Sequence, residues 1–183
     1  EQAGKHYSWN PLVKMENLEC LRISGDDNGD LLGISPEIAP NLKWIEVELF
    51  NPNTIHIIKE FKCLEAAILG EVGNIDVFEH LKHLNLKIVS AKSPKKGFDY
   101  TKISYFKGLE IARLFSIKEE IDCAMFLQFP HLKELLLHQC KKLKNVEAFL
   151  EMPVLKSLNI EDAKGVSKEL KVSLKEHIPQ CEV

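Results

Sequence analysis

The stretch Leu132-Lys-Glu-Leu135-Leu-Leu137 decides the fold of this chain, because its spacing of apolar residues recurs along the sequence. Six further clear copies and a weaker last copy of this motif begin at Leu18, Leu42, Leu64, Leu81, Leu109, Leu155 and Ile178. A motif that returns at a nearly fixed period is the signature of a solenoid, in which each repeat stacks on its neighbours. Solenoids present extended surfaces, so the pattern points first to a binding protein.

The spacing of the copies predicts where the repeats are irregular. Successive copies begin 24, 22, 17, 28, 23, 23 and 23 residues apart. The two unusual steps are adjacent, which predicts a tight turn after the third copy and an insertion near residues 88–105. The alternative is a fourth strand that lies a few residues later. Phe61, Phe78 and Phe106 each stand three residues before a copy, and this match favours the insertion.

Apolar residues also recur at every third position before several copies. Val146, Phe149 and Met152 lead into the seventh copy, and Ile103 and Phe106 lead into the fifth. A period of three suits a 3₁₀ turn better than a long helix or a strand. Within the motif, the first, fourth and sixth residues face the core while the third and fifth face away. The predicted fold is therefore α/β, with a curved parallel sheet on the concave face and 3₁₀ turns with short helices on the convex face.

On these copies, the chain resembles the leucine-rich-repeat superfamily over residues 12–183. The resemblance implies a single domain of about eight repeats, of the short cytosolic type with 22–23-residue repeats. Residues 1–11 would be an N-terminal tail or the remnant of an omitted repeat. Members of the family commonly place Asn or Cys shortly after the motif, where it satisfies buried backbone groups. Only Cys140 fits that choice, with Asp26 as a substitute, so the chain resembles a divergent member without an asparagine ladder.

Composition narrows the class of protein. The chain has 183 residues, of which 45% are hydrophobic, so it can bury a sizeable core. A net charge of −3 gives no general attraction to nucleic acid. No apolar run approaches the ~20 residues that cross a bilayer. Five cysteines without terminal pairing, and no Asn-x-Ser/Thr sequence, favour a reducing, cytoplasmic location. We expect a monomer or a weak dimer.

The sequence predicts neither a metal centre nor a catalytic centre. Asp26–Asp30 has the acidic character of a calcium loop but lacks the glycine that the sharp turn requires. His80, His83 and His138 lack partners at the spacing of a zinc site. No phosphate-binding glycine loop or nucleophile motif stands out. We therefore predict that the chain is not an enzyme and takes no cofactor.

The concave face is the predicted binding surface. Apolar and aromatic side chains there, open to water, would form the kind of patch that marks an interface, and Trp, Phe and Arg are typical of binding hot spots. Two alternatives are that a basic insertion covers the face and that Phe115 turns into the core. The predicted contacts to a protein or peptide partner are Trp44, Ile68, His83, Ile111, Arg113, Phe115, Leu136 and His138.

Charged residues surround this face. Lysines cluster at 92–96 and 141–144, where they are either solvated or contact an anionic partner. The alternative function is the recognition domain of a larger enzyme or signalling protein whose active part lies outside this chain. The second residue of every clear copy is charged, which predicts a solvated rim formed by Glu19, Lys43, Glu65, Lys82, Glu110, Lys133 and Lys156.

Overall fold

A parallel sheet of eight strands, each beside the strand of the preceding repeat, organises the molecule. The computed structural model describes residues 14–23, 34–48, 55–161 and 166–183. The eight strands, in spatial order, are β1 (Cys20–Ile23), β2 (Trp44–Val47), β3 (Ala66–Leu69), β4 (Ile88–Lys92), β5 (Ile111–Phe115), β7 (Glu134–His138), β9 (Ser157–Glu161) and β10 (Gln180–Glu182).

Short helices close the other side of the repeats. Two short strands, β6 (Ile121–Asp122) and β8 (Leu143–Lys144), pair with each other in a separate small sheet. The mixed α/β solenoid architecture predicted from the motif is thus confirmed. The helices are α1 (Ile55–Ile58), α2 (Val77–Leu81) and α3 (Lys168–His177), and the 3₁₀ helices span Tyr100–Tyr105, Cys123–Gln128 and Val146–Glu151.

The predicted position of the fourth strand is wrong. Ile88 pairs with Ala66 on one side and with Ile111 on the other. The motif of this repeat therefore begins at Leu86, and successive copies are 24, 22, 22, 23, 23, 23 and 23 residues apart. Residues 88–105 are not an insertion, because they hold β4 and the 3₁₀ helix Tyr100–Tyr105. Leu81 misled the prediction because it is a core residue of α2 whose apolar spacing imitates the motif.

The core lies between the eight-stranded sheet and the helices. Leu135 and Leu137 of β7 point into it and are 2% and 0% exposed. Phe126 and Phe149, from successive 3₁₀ helices, are both fully buried, with ring centres 6.0 Å apart. Burial of one such side chain contributes about 1.5–3 kcal/mol, so the regular apolar positions supply most of the fold's stability.

A column of polar residues caps the helical side of the repeats. Asp76, Asp99 and Asp122 each accept a hydrogen bond from a backbone N–H at the start of a helix, at 3.1, 3.2 and 3.1 Å. Carboxylates are favoured there because helix N-termini leave N–H groups unpaired. Asn145, the next in the column, donates its Nδ2 to Asp122 Oδ1 at 2.8 Å. These residues recur every 23 positions, a signal present in the sequence that the motif search missed.

A second set of equivalent residues stands just after the strands of four successive repeats. Glu71, Ser93, Ser116 and Gln139 each adopt a left-handed conformation, with φ of 53°, 53°, 58° and 55°. The residue after the last of them, Cys140, is buried, and its Sγ lies 3.5 Å from two backbone carbonyl oxygens. Burial raises the pKa of the Cys140 thiol to about 11, which keeps it protonated as a donor. Cys140 therefore satisfies backbone groups in the turn, as the family resemblance implies.

The C-terminal repeat ends in the helix α3 and the strand β10. Ser167 caps α3 by accepting the N–H of Leu170 at 3.2 Å, and Leu174 and Ile178 are buried against the core. Within the described residues, no helix is both long and apolar enough to span a membrane. Two sequence features, the segment 1–11 and the acidic Asp26–Asp30, lie outside the described residues.

Candidate functional site

The strands of the large sheet turn alternate side chains away from the core, and these side chains form what we call the open face. The strand register aligns them in rows. The first row is Cys20, Trp44, Ala66, Ile88, Ile111, Glu134, Ser157 and Gln180. The second row is Arg22, Glu46, Ile68, Ser90, Arg113, Leu136, Asn159 and Glu182. The third row includes Lys92, Phe115, His138 and Glu161.

Seven of the eight predicted contact residues lie on the open face, and His83 does not. The Nε2 atom of His83 lies 2.8 Å from the backbone oxygen of Lys59, before β4 begins. This error follows from the misplaced fourth strand. Ile88, Ser90 and Lys92 occupy the positions that the sequence assigned to His83 and the residues after it.

The centre of the open face is apolar but only half exposed. Trp44, Ile68, Ile111 and Leu136 are all partly covered, because neighbouring strands bring large side chains into contact across the sheet. The sequence predicted that these side chains are exposed, and they are exposed only in part. Phe115 also lies on this face, with its ring centre 5.6 Å from that of His138, so it does not turn into the core.

Residues 93–97 do not form a basic insertion above the sheet. The Lys95 N–H bonds to the carbonyl oxygen of Gly73 at 2.7 Å, and Gly73 forms a parallel bridge with Pro94. The Gly97 N–H bonds to Glu119 on its other side. The segment is thus an ordinary turn, placed between the turns of the neighbouring repeats. The alternative in which an insertion covers the face is wrong for this reason.

A pocket of about 250 Å³ opens at one side of the apolar centre. Ala66, which is 2% exposed, lies between Trp44 and Ile88 in the first row. Its small side chain leaves a depression between two large neighbours. Lys43, Glu65, Lys87, Glu110 and Ile111 complete the wall of the pocket.

The rim of the open face consists of cross-strand ion pairs. Lys43 pairs with Glu19 at 2.7 Å, Lys87 with Glu65 at 2.8 Å, and Lys133 with Glu110 at 2.6 Å. The hydrogen bond from Lys133 lowers the pKa of Glu110. Exposed pairs of this kind stabilise a fold only slightly, so their main consequence is a rim whose charges cancel in pairs.

The prediction that Lys82 belongs to this rim is wrong. Lys82 lies one residue beyond α2, where it pairs with Glu79 three residues earlier, and Lys87 takes its place beside β4. With that correction, acidic and basic residues alternate along the rim from Glu19 to Lys133.

The open face itself carries several charges, and most are paired. Arg22 contacts Glu46 at 3.4 Å, and His138 contacts Glu161. Arg113 differs from these, because its side chain makes neither an ion pair nor a hydrogen bond with any residue that the structure describes. It lies half-buried near the middle of the sheet, between Ser90 and Leu136 in the second row.

The lysine clusters lie away from this apolar centre. Lys141 and Lys142 line a depression of about 400 Å³ with Ser116 and Gln139, at the turns that follow the strands. Lys144 is paired with Glu120 at 3.4 Å. A role for these lysines in contacting an anionic partner stays a prediction.

The described residues offer no gathered set of metal ligands, and the acidic Asp26–Asp30 lies outside them. In residues 14–23, 34–48, 55–161 and 166–183, no three or more His, Cys, Asp or Glu side chains are placed to hold a metal ion. All five cysteines are free thiols, and Cys123 and Cys140 are buried.

Comparison with known proteins does not identify a family for this chain. No protein-family model and no curated protein matches the sequence. Among solved structures, the chain is similar to an internalin from Listeria monocytogenes, with 12% sequence identity and a TM-score of 0.48. The match covers 92% of this chain and 67% of the internalin chain. A likeness this distant identifies no partner, and the site must be interpreted from its own residues.

Proposed function

We propose that this chain is a protein-interaction module that binds a protein or peptide through the open face of its sheet. The observation that supports this is the continuous apolar centre formed by Trp44, Ile68, Ile88, Ile111 and Leu136. These side chains point away from the core, so the packing of the fold does not require them to be large and apolar. A contiguous apolar patch with a polar rim is typical of a protein-binding surface.

The shape of the face favours a polypeptide over a small molecule. The pocket over Ala66 has about 250 Å³, below the roughly 300–1,000 Å³ of typical small-molecule sites. That volume suits one or two side chains of a larger partner. The neutral rim then forms the polar boundary that protein interfaces commonly have.

The chemistry of the face also favours binding over catalysis. Its charged groups are distributed along the sheet, and the ionisable rim groups are held in Lys–Glu pairs. An acid–base or nucleophilic site needs such groups to converge on one reacting atom. The alternative, a recognition domain within a larger enzyme or signalling protein, uses the same face. The full-length open reading frame tests that alternative.

Two substitutions on the open face test the proposal. The intact chain serves as bait in affinity purification with quantitative mass spectrometry, beside Trp44→Ser and Phe115→Ser variants. Specific partners should be lost with both variants, by about 30-fold in affinity if these residues are hot spots. Val172→Ser is the matched control, because this apolar residue is 55% exposed on α3, away from the sheet.

Thermal unfolding of the same proteins separates binding from folding. The account expects nearly unchanged midpoints for both open-face variants, since neither side chain is fully buried. Retention of every specific partner by folded Trp44→Ser and Phe115→Ser proteins would refute the proposal. Unfolding of both variants would show that the two residues are core, and the proposal would fail on that ground.

A further inference from the structure

Arg113 is a positive charge of the open face that has no ion-pair partner among the described residues. Its neighbours along β5 on the same face are Ile111 and Phe115, and its partners in register are Ser90 and Leu136. The Arg113 side chain thus extends from a part of the surface whose other residues are mostly apolar. Ser90, its partner on the β4 side, is small and only 5% exposed.

The charged residues around Arg113 are already engaged or do not reach it. Lys92, which pairs in register with Phe115, lies 4.0 Å from Glu71. His138 on the other side of Phe115 is paired with Glu161. Glu134 stands opposite Ile111 on β7, but it is exposed and makes no ion pair with any described residue. Within the described residues, no carboxylate forms an ion pair with Arg113, so its positive charge is not offset by a negative one.

A partner that covers this face has to supply that charge. Removing a guanidinium from water without a counter-charge is costly, whereas a hydrogen-bonded carboxylate offsets the loss. Arginine matches a carboxylate well because its planar group donates two parallel N–H bonds. On the premise of the proposed function, we infer that Arg113 selects a peptide segment that carries an Asp or Glu between apolar residues.

A carboxylate fits this setting better than a phosphate. Phosphate groups are doubly charged and strongly hydrated, and domains that read phosphopeptides surround the group with clusters of arginines. Arg113 is one arginine on an apolar surface, whereas the lysine pair Lys141 and Lys142 lies at the turns that follow the strands. One charge that is flanked by apolar contacts matches one carboxylate.

The sheet geometry also sets the spacing of the peptide. Ala66 on β3 and Arg113 on β5 are separated by two strand intervals and one step between rows. With about 4.8 Å between strands and about 3.3 Å per residue along them, that separation is roughly 10–12 Å. An extended peptide covers this distance in about three or four residues. The apolar anchor for the pocket and the acidic residue should stand at that spacing.

The test pans a display library of random peptides on the immobilised chain and measures the selected peptides by fluorescence anisotropy. Selected sequences should carry an acidic residue about three or four positions from a large apolar one. Replacing that Asp by Asn should weaken binding to the unmodified chain at least about tenfold. The Arg113→Gln protein should bind the Asp peptide with the same loss of affinity, and it should bind the Asp and Asn peptides equally well. A phosphoserine in place of Asp should bind no better than Asp.

Charge reversal and a matched control complete the design. Arg113→Glu should bind the version of the peptide with Lys in place of Asp. Lys175→Gln, which removes one exposed positive charge from α3, should leave the affinity unchanged within about twofold, because α3 lies on the helical side of the repeats.

The outcomes separate this inference from the proposed function. One outcome is that the selected peptides lose binding to the Trp44→Ser protein and yet bind the unmodified chain equally well with Asp or Asn. In that case the inference about acidic specificity is wrong, and the proposal that the open face binds peptides is retained. A clear preference for phosphoserine also overturns the inference. If the selected peptides bind the Trp44→Ser and Phe115→Ser proteins unchanged, the binding face itself is wrong.

Discussion

The core side and the open side of the large sheet are built from the same strands, yet different demands fix their residues. On β7, Leu135 and Leu137 are buried, whereas Leu136 between them is half-buried on the open face. Core positions are apolar in every repeat because the stacked layers must exclude water. Open-face positions range from Glu to Trp, and their apolar members gather in the middle of the sheet.

This difference teaches how to separate stability from recognition in a repeat protein. A residue type that returns in every repeat reflects the packing that all repeats share. A residue type that occurs at an equivalent position in only one or a few repeats reflects a requirement of that part of the surface alone. Arg113 stands out on the open face, because it lies between the apolar Ile111 and Phe115 on β5 and makes no ion pair with any described residue.

Substitutions on the core side of the sheet should destabilise the fold most. Phe126→Ala removes a fully buried ring that packs against Phe129 and Phe149. We expect a loss of about 3–5 kcal/mol in the free energy of unfolding, measured by urea denaturation. The neighbouring Leu127→Ala is the control, since Leu127 is 43% exposed, and it should cost far less. Equal losses would mean that the core is not where the structure places it.

The end of β3 should be the next most sensitive point. A Cβ added at Gly70 would lie 1.9 Å from the backbone oxygen of Glu48, so Gly70→Ala must displace backbone. The expected destabilisation is about 1–3 kcal/mol. At Gly108 the same change meets only the side chain of Asn85, at 3.3 Å. Gly108→Ala should therefore be milder, and a reversed order of the two variants would contradict the packing of β2 on β3.

The last repeat offers a smaller test of the helical side. Ser167→Ala removes the N-cap of α3 and should cost about 1 kcal/mol. Ser173→Ala in the same helix is the control, because the Ser173 hydroxyl only bonds back to the carbonyl oxygen of Glu169. That change should be neutral or slightly stabilising. Circular dichroism and urea unfolding compare the two, and a cost at Ser173 equal to that at Ser167 would rule out the cap.

The smallest expected effect concerns the exposed ion network near α2. Hydrogen bonds from Lys82 and Tyr105 lower the pKa of Glu79 from its ordinary value of 4.5 to about 2. A lowered folded-state pKa contributes stability above the unfolded value, and that contribution is lost as the pH falls from about 4.5 towards about 2. Glu79→Gln should therefore flatten the decline of stability in this range.

The control for the pH dependence is Glu151→Gln, an exposed carboxylate with no ion pair among the described residues. Its stability profile should follow that of the unmodified chain. If Glu79→Gln and Glu151→Gln have the same slope between pH 5 and pH 2, within the small effects expected of exposed groups, the network around Glu79 does not form in solution.

The repeat pattern predicts the solenoid because apolar residues at fixed spacing have one efficient way to become buried. It fails at β4, since Leu81 at the end of α2 and Leu84 in the turn after it copy the motif by filling the core. Pairing to β3 and β5 then decides the register, and such long-range pairing is not visible in a local pattern. The recurrence of Asp76, Asp99 and Asp122 every 23 residues is visible in the sequence, but a motif defined by apolar residues does not include it.

The candidate site was predictable in outline and not in detail. Alternation along the strands placed Trp44, Ile111 and Leu136 on the open face once the motif was found. Their partial burial depends on which side chains stand beside them on neighbouring strands. The absence of a partner for Arg113 depends on side-chain positions, which spacing alone does not fix.

The most direct measurement compares Leu136→Ser with Leu137→Ser, two adjacent leucines on opposite sides of β7. Each protein is assayed by thermal unfolding and by anisotropy with peptides selected on the unmodified chain. The account predicts that Leu137→Ser lowers the unfolding midpoint sharply, whereas Leu136→Ser stays within a few degrees and loses peptide binding. If Leu136→Ser unfolds as readily as Leu137→Ser, or folds normally and binds the peptides unchanged, the open face is not the binding surface.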